Sequence, residues 1–231
     1  MKIVNRIILT QVFAAMTLLI GRYLIAFKSL SGYATLTSFP ASGSQVLLFL
    51  GWNLFLASVP YALSLLLPLI RHRLAGVLVL IAWLLFLPNA PYLITDLIHL
   101  KPRLPVPFWA DGMVFFFFAW TGLLLGLVSL LHIQRYLEQW YTTRQSHWWI
   151  GGFMLMSSFG LFLGRVGRWN SWEAVTHPSA LLQYSFSLLA SPTTTLMVFI
   201  GFFSLLQGLG YALLYHLTSF NSDSSFKTSS L

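Results

Sequence analysis

The sequence predicts an all-α protein, a polytopic transmembrane helix bundle of about six membrane-spanning helices. Three observations predict it. Of the 231 residues, 57% are hydrophobic and only 8% are charged, against about a quarter charged in an ordinary soluble domain. So few charges cannot cover a water-facing surface, so lipid has to solvate much of the chain. Apolar stretches long enough to cross a bilayer recur along the sequence, separated by basic or proline-rich breaks. The length accommodates about six spans with short loops and leaves no room for a separate soluble domain. Residues 1–217 read as one integral membrane domain and 218–231 as a disordered Ser-rich tail.

The first span is expected at Ile7–Phe27, behind Lys2 and Arg6. Its apolar run is too long for a signal peptide and no small-residue cleavage site follows, which makes it a retained anchor. The second, Val46–Ile70, stops at Arg71-His72-Arg73. The third runs from Leu74 to His99 and is broken at Pro88-Asn89-Ala90-Pro91, because proline lacks the backbone donor a helix needs and clashes with the preceding turn. Three prolines make Lys101–Pro107 a stiff loop. The fourth span is expected at Asp111–Leu131, with Asp111 as N-cap. The fifth is expected at Trp148–Gly164. The sixth, Thr193–His216, has Ser191-Pro192 as cap and first-turn pair. Ser179–Ala190 is apolar but too short to span, and reads as an interfacial or re-entrant helix. Gly122-x-x-x-Gly126 and Gly160-x-x-x-Gly164 are small-residue pairs that let membrane helices approach closely, here within one chain.

A net charge of +8 with basic residues at segment ends points to anionic lipid headgroups as partners and not to nucleic acid. The absence of cysteine excludes disulfides, thiol nucleophiles and Cys-ligated metals. Neither a metal nor a cofactor is expected. With the N-terminus cytoplasmic, one side holds Lys2, Arg6, Arg71, Arg73, Arg135, Arg144 and Lys227, and the other holds Arg22, Lys28, Lys101, Arg103, Arg165 and Arg168. That balance tips towards N-inside once Arg22, Arg165 and Arg168 are assigned to a polar site.

Alternating topology gathers chemistry at one end. The C-terminal ends of the odd spans and the N-terminal ends of the even ones share a face. That face receives Arg22, Asn89, Tyr92, Asp96, His99, Asp111, Arg165, Arg168, Asn170, Glu173 and His177, including three of the five acids. Asn89, Tyr92, Asp96 and His99 follow helical offsets and form one polar stripe. A carboxylate beside an imidazole fixes its tautomer, which makes Asp96 and His99 the catalytic candidates, although both could equally well bond loop backbone. Arg165, Arg168 and Trp172 also lie at helical offsets. Two guanidinium groups at the end of a membrane helix suit a phosphate or carboxylate, or else pair with Asp96, Asp111 or Glu173. The candidate ligand-binding set is therefore Arg165, Arg168, Asn89, Tyr92, Asp96, His99, Asp111, Asn170, Trp172 and Glu173.

The stretches FLPNAPYLITDLIHL and GRVGRWNSWE resemble the two signatures of the domain-of-unknown-function 1361 family of bacterial multipass membrane proteins. The resemblance runs from the second span to the sixth. It implies an integral protein of the bacterial inner membrane and falls on Pro88, Asn89, Tyr92, Asp96, His99, Arg165, Arg168, Asn170 and Trp172; it assigns no catalytic role. Three readings follow. The first is binding or transport of an anionic small molecule or lipid headgroup. The second is a membrane-embedded enzyme acting on a lipid-linked or phosphate-bearing substrate. The third is a structural or assembly protein without a ligand.

Overall fold

The computed structural model describes residues 2–31, 47–102 and 106–228; part of the proline-rich loop, 103–105, lies outside them. Every regular element among the described residues is helical. In chain order they are α1 (Lys2–Ser31), α2 (Leu48–Leu66, running on into a 3-10 turn at Leu67–Leu69), α3 (Arg73–Phe86), α4 (Asn89–Thr95, continued by a 3-10 turn at Asp96–His99), α5 (Phe108–Leu137), α6 (Thr143–Arg165), α7 (Glu173–Thr176), α8 (Pro178–Ala190) and α9 (Thr194–Thr228).

Five stretches are long and apolar enough to cross a membrane: Val4–Leu24, Leu48–Leu69, Arg73–His99, Phe108–Leu137 and Thr194–Thr218. The fifth expected span, Trp148–Gly164, lies within α6, a helix of 23 residues and so about 34 Å long. Its composition falls short of the others because Gly151, Gly152, Ser157, Ser158 and Gly160 dilute the apolar run. It still traverses the bundle: His147 near its start meets Tyr215 of α9, with ring centroids 5.0 Å apart, and Arg165 at its end reaches α4. A capping box at Thr142 and Gln145 starts it. α9 continues to Thr228, beyond the His216 end that the apolar run suggests. Its N-terminal amide is met by Thr193, whose Oγ1 accepts from Leu196 N at 3.2 Å, so the cap lies two residues beyond Ser191.

The axis of the bundle is α5, which is apolar around its whole circumference and mostly buried. One core packs α1, α2 and α4 against it through Ala15, Leu50, Leu54, Leu93, Phe115 and Phe118. A second joins α3, α6 and α9 to it through Trp83, Leu127, Ile150, Phe153 and Tyr211. Lipid tails are as apolar as leucine, so these contacts are held by close fit and not by exclusion of water. The two small-residue pairs supply that fit, and both clamp the broken segment. A Cβ on Gly122 would lie 2.8 Å from the Ala90 carbonyl oxygen, one on Gly126 2.8 Å from Ala90 Cβ, and one on Gly160 2.6 Å from Pro88 Cγ. The segment Pro88–Pro91 is thus wedged between α5 and α6 at positions where only glycine fits. The break itself is satisfied locally. Ala90 N bonds Leu87 O at 3.1 Å, and the Asn89 side chain donates to the Phe86 carbonyl at 3.0 Å, taking an acceptor that a continuous helix would have bonded itself.

Candidate functional site

The two Arg–Asp pairs among the described residues lie at the end of the bundle where α1, α4 and α6 finish and α2 and α5 begin. Arg165, the last residue of α6, is the hub of the larger cluster. Its Nη1 donates to Tyr92 Oη at 3.3 Å and Asp96 Oδ1 at 3.4 Å. Its Nη2 donates to the Thr95 carbonyl at 2.8 Å and lies 3.1 Å from His99 Nε2. A guanidinium has donors only, so in this contact His99 Nε2 is the acceptor. The second oxygen of Asp96 accepts from Asn53 Nδ2 at 2.7 Å, and His99 stands edge-on to Phe49. Asp96 is 1% exposed; a carboxylate that deep needs both of these partners. Asp96 and His99 therefore meet through Arg165, and both oxygens of the carboxylate are engaged.

Asn89, at the start of the polar stripe, donates to Ser171 Oγ at 3.0 Å and ties α4 to the loop after α6. That loop begins with a widened turn, in which Gly167 N bonds Phe162 O and Trp169 N bonds Leu163 O. Arg168 follows with φ +58°. A left-handed conformation costs a non-glycine residue about 1 kcal/mol or more. Arg168 is exposed and makes no hydrogen bond or ion pair with the described residues. Glu173 is committed within the loop: its carboxylate accepts from the backbone N–H and the side-chain amide of Asn170.

Asp111 is not an N-cap. Pro107, extended at φ −59° and ψ 139°, precedes the helix, which starts three residues earlier than expected at Phe108. Asp111 falls in the first turn and faces α1, where Arg22 Nε and Nη2 donate to its two oxygens at 3.0 and 3.4 Å. This fork-to-fork pair is fully buried and belongs to the α1–α5 contact, apart from the Arg165 cluster. Among the described residues no three His, Asp or Glu side chains are grouped to hold a metal ion.

A cavity of about 510 Å³ lies between α2, α3 and α6, under the loop 169–172. Its volume falls in the range of small-molecule sites. Asn53, Asn89, Tyr92, Asn170 and Ser171 form its polar end. Trp52, Leu56, Ile81, Leu85, Met156 and Leu163 line the apolar remainder, and Trp169 and Trp172 close over it. Of the sequence candidates, Asn89, Tyr92, Asn170 and Trp172 line this cavity, and Arg165, Asp96 and His99 form a scaffold that Tyr92 and Asn53 share with it. Arg168 precedes the lining residue Trp169 in the loop and is not itself part of the lining. Asp111 stands elsewhere, and Glu173 and His177 are absent from the lining. A family model described as "Protein of unknown function (DUF1361)" matches residues 52–207. The chain belongs to that family. The stretch shared with DUF1361 opens at Trp52 in the cavity wall and contains every lining residue, whereas α1 with Arg22 lies outside it. No curated protein and no solved structure matches the chain.

Sequence reasoning missed Asn53 and Ser171. Asn53 had a signal: an amide alone in an otherwise apolar span is a candidate by default, because hydrocarbon offers it no partner. Ser171 had none, since a serine in a loop is unremarked until the chain places it beside Asn89.

Proposed function

We propose that this membrane protein binds an anionic small molecule or lipid headgroup at the polar end of the cavity, with Arg168 as the ligand's charge partner. The carrying observation is the contrast between the two arginines of the loop signature. Arg165 is spent on four acceptors of the protein's own, whereas Arg168 is exposed, unpaired among the described residues and held at φ +58°. A strained residue with an unpaired guanidinium, next in the chain to the lining residues Trp169 and Asn170, suits the recognition of phosphate or carboxylate. Tyr92 Oη and the second amide N–H of Asn170 supply neutral donors, while both amide N–H groups of Asn89 are given to the Phe86 carbonyl and Ser171 and hold the loop in place.

This reading makes the chain a multipass protein of the bacterial inner membrane with its N-terminus in the cytoplasm. Arg22 and Arg165 are engaged by buried aspartates, which supports leaving them out of the charge count that sets orientation. The site then faces away from the cytoplasm. Acid–base work by Asp96 and His99 is disfavoured, because both are already partnered to Arg165. Native mass spectrometry of the purified protein tests the proposal. Arg168→Ala is expected to insert and fold normally and to lose co-purified anionic lipid or solute; unchanged retention of every such species would contradict it.

A further inference from the structure

Resting on the headgroup-binding reading above, we infer that the ligand is an anionic membrane lipid, admitted sideways from the bilayer leaflet, with an acyl chain lying in the groove between α3 and α6. Ile81 and Leu85 of α3 and Met156 of α6 line the cavity and yet are 51%, 38% and 55% exposed. The cavity wall is therefore open between these helices, at a height where α3 belongs to an apolar span. What lies outside that opening is hydrocarbon, not water.

The groove also has length. Ile81 precedes Asn89 by eight residues and Met156 precedes Gly164 by eight, so the apolar part extends about 12 Å below the polar end along both helices. A free anion entering from water would use the amide end alone and leave that stretch unfilled. A lipid fills both: its chain against Ile81, Leu85 and Met156, its head among Asn89, Asn170 and Arg168. The level of the head agrees with the surroundings. Trp52 and Trp172, 56% and 47% exposed, are indoles of the kind that settle at the headgroup layer. The roof carries α8, whose Leu181 lines the cavity while Leu182, Phe186 and Leu189, at offsets of four and seven, face outwards at 56%, 67% and 58% exposure. A short helix with such a stripe lies in the interface plane and not across the bilayer.

The test titrates the full-length protein in detergent, by native mass spectrometry, with phosphatidylglycerol, phosphatidylcholine and glycerol phosphate. Met156→Trp and Ile81→Trp, both at exposed positions that tolerate bulk, fill the groove; Arg168→Ala removes the charge. Phosphatidylglycerol is expected to bind at least about tenfold more tightly than phosphatidylcholine, and each tryptophan substitution to weaken it by about tenfold or more. Glycerol phosphate should be indifferent to the tryptophans and weakened by Arg168→Ala. If it binds too weakly to detect, loss of phosphatidylglycerol in all three variants is the supporting result. If the tryptophans leave phosphatidylglycerol unchanged while Arg168→Ala weakens both anions, the lipid route is overturned and the headgroup site stands. If phosphatidylglycerol and phosphatidylcholine bind alike and Arg168→Ala changes neither, the headgroup site itself is overturned.

Discussion

Two arginine–aspartate pairs sit at the same end of this bundle and do different things. Arg22 and Asp111 form a closed fork, 5% and 0% exposed, that clasps α1 to α5 and touches nothing of the cavity. Arg165 and Asp96 meet at a single longer contact of 3.4 Å with 18% of the arginine side chain exposed, and the guanidinium divides itself among Tyr92, Asp96, Thr95 and His99. The first pair is buried away from the cavity, where no ligand reaches it. The second spreads one cation over a whole segment and so fixes the direction in which Tyr92 faces the cavity. Burial and pairing mark a structural clasp. Distribution over several acceptors at the rim of a cavity marks a residue that positions others.

The comparison breaks most visibly at Asp111. Asp111→Ala strands a buried guanidinium, at a cost of about 3–5 kcal/mol, read as a large loss of folded protein in thermal unfolding in detergent. The double replacement Arg22→Leu with Asp111→Leu should recover most of that loss, because removing both charges also removes their desolvation. Stability of Asp111→Ala equal to the parent would mean that the clasp is not what holds α1. Arg165→Ala is expected to cost less, about 2–3 kcal/mol, since its side chain stays partly exposed. Unlike Asp111→Ala, it should weaken ligand retention in the molecules that remain folded, by freeing Tyr92 and the 3-10 turn.

Smaller effects sharpen the same contrast. Gly122→Ala pushes a methyl group against the Ala90 carbonyl and Leu93, which should destabilise by about 1–3 kcal/mol through overpacking. Gly151→Ala, with nothing within 4 Å of the added carbon, should be neutral or stabilising by about 0.5–1 kcal/mol, because alanine is the better helix former. The most telling change is Arg168→Gly. Glycine relieves the left-handed strain and should raise stability by about 1 kcal/mol while abolishing anion retention. A variant that folds better and binds worse is the signature of a residue kept for a ligand.

Much of this was legible in the sequence, for a physical reason. Lipid as solvent imposes composition on every span, so the apolar runs and the break at Pro88–Pro91 can be read directly. The helical offsets of Asn89, Tyr92, Asp96 and His99 put them on one stripe, and topology brought Arg165 to the same end. Partner choice was not legible. Whether Arg165 or Arg168 pairs internally depends on how α6 crosses α4, and that crossing is set by Gly160 meeting Pro88, a contact that no spacing within either segment reveals. Asp111 misled because an acid near a helix start suggests a cap, whereas Pro107 begins the helix earlier and leaves the carboxylate free to turn towards α1. A span at Trp148–Gly164 was expected, but the helix α6 starts five residues earlier at the Thr142 capping box; its dilution by glycine and serine is what separates it from the other five stretches.

The most direct measurement of the central claim is a high-resolution structure of the protein in a phosphatidylglycerol nanodisc. The account predicts headgroup density within hydrogen-bonding distance of the Arg168 guanidinium and the Asn170 amide, continuous with a chain between Ile81 and Met156. A cavity empty beside Arg168, or an Arg168 side chain paired to the protein's own acids, would contradict it.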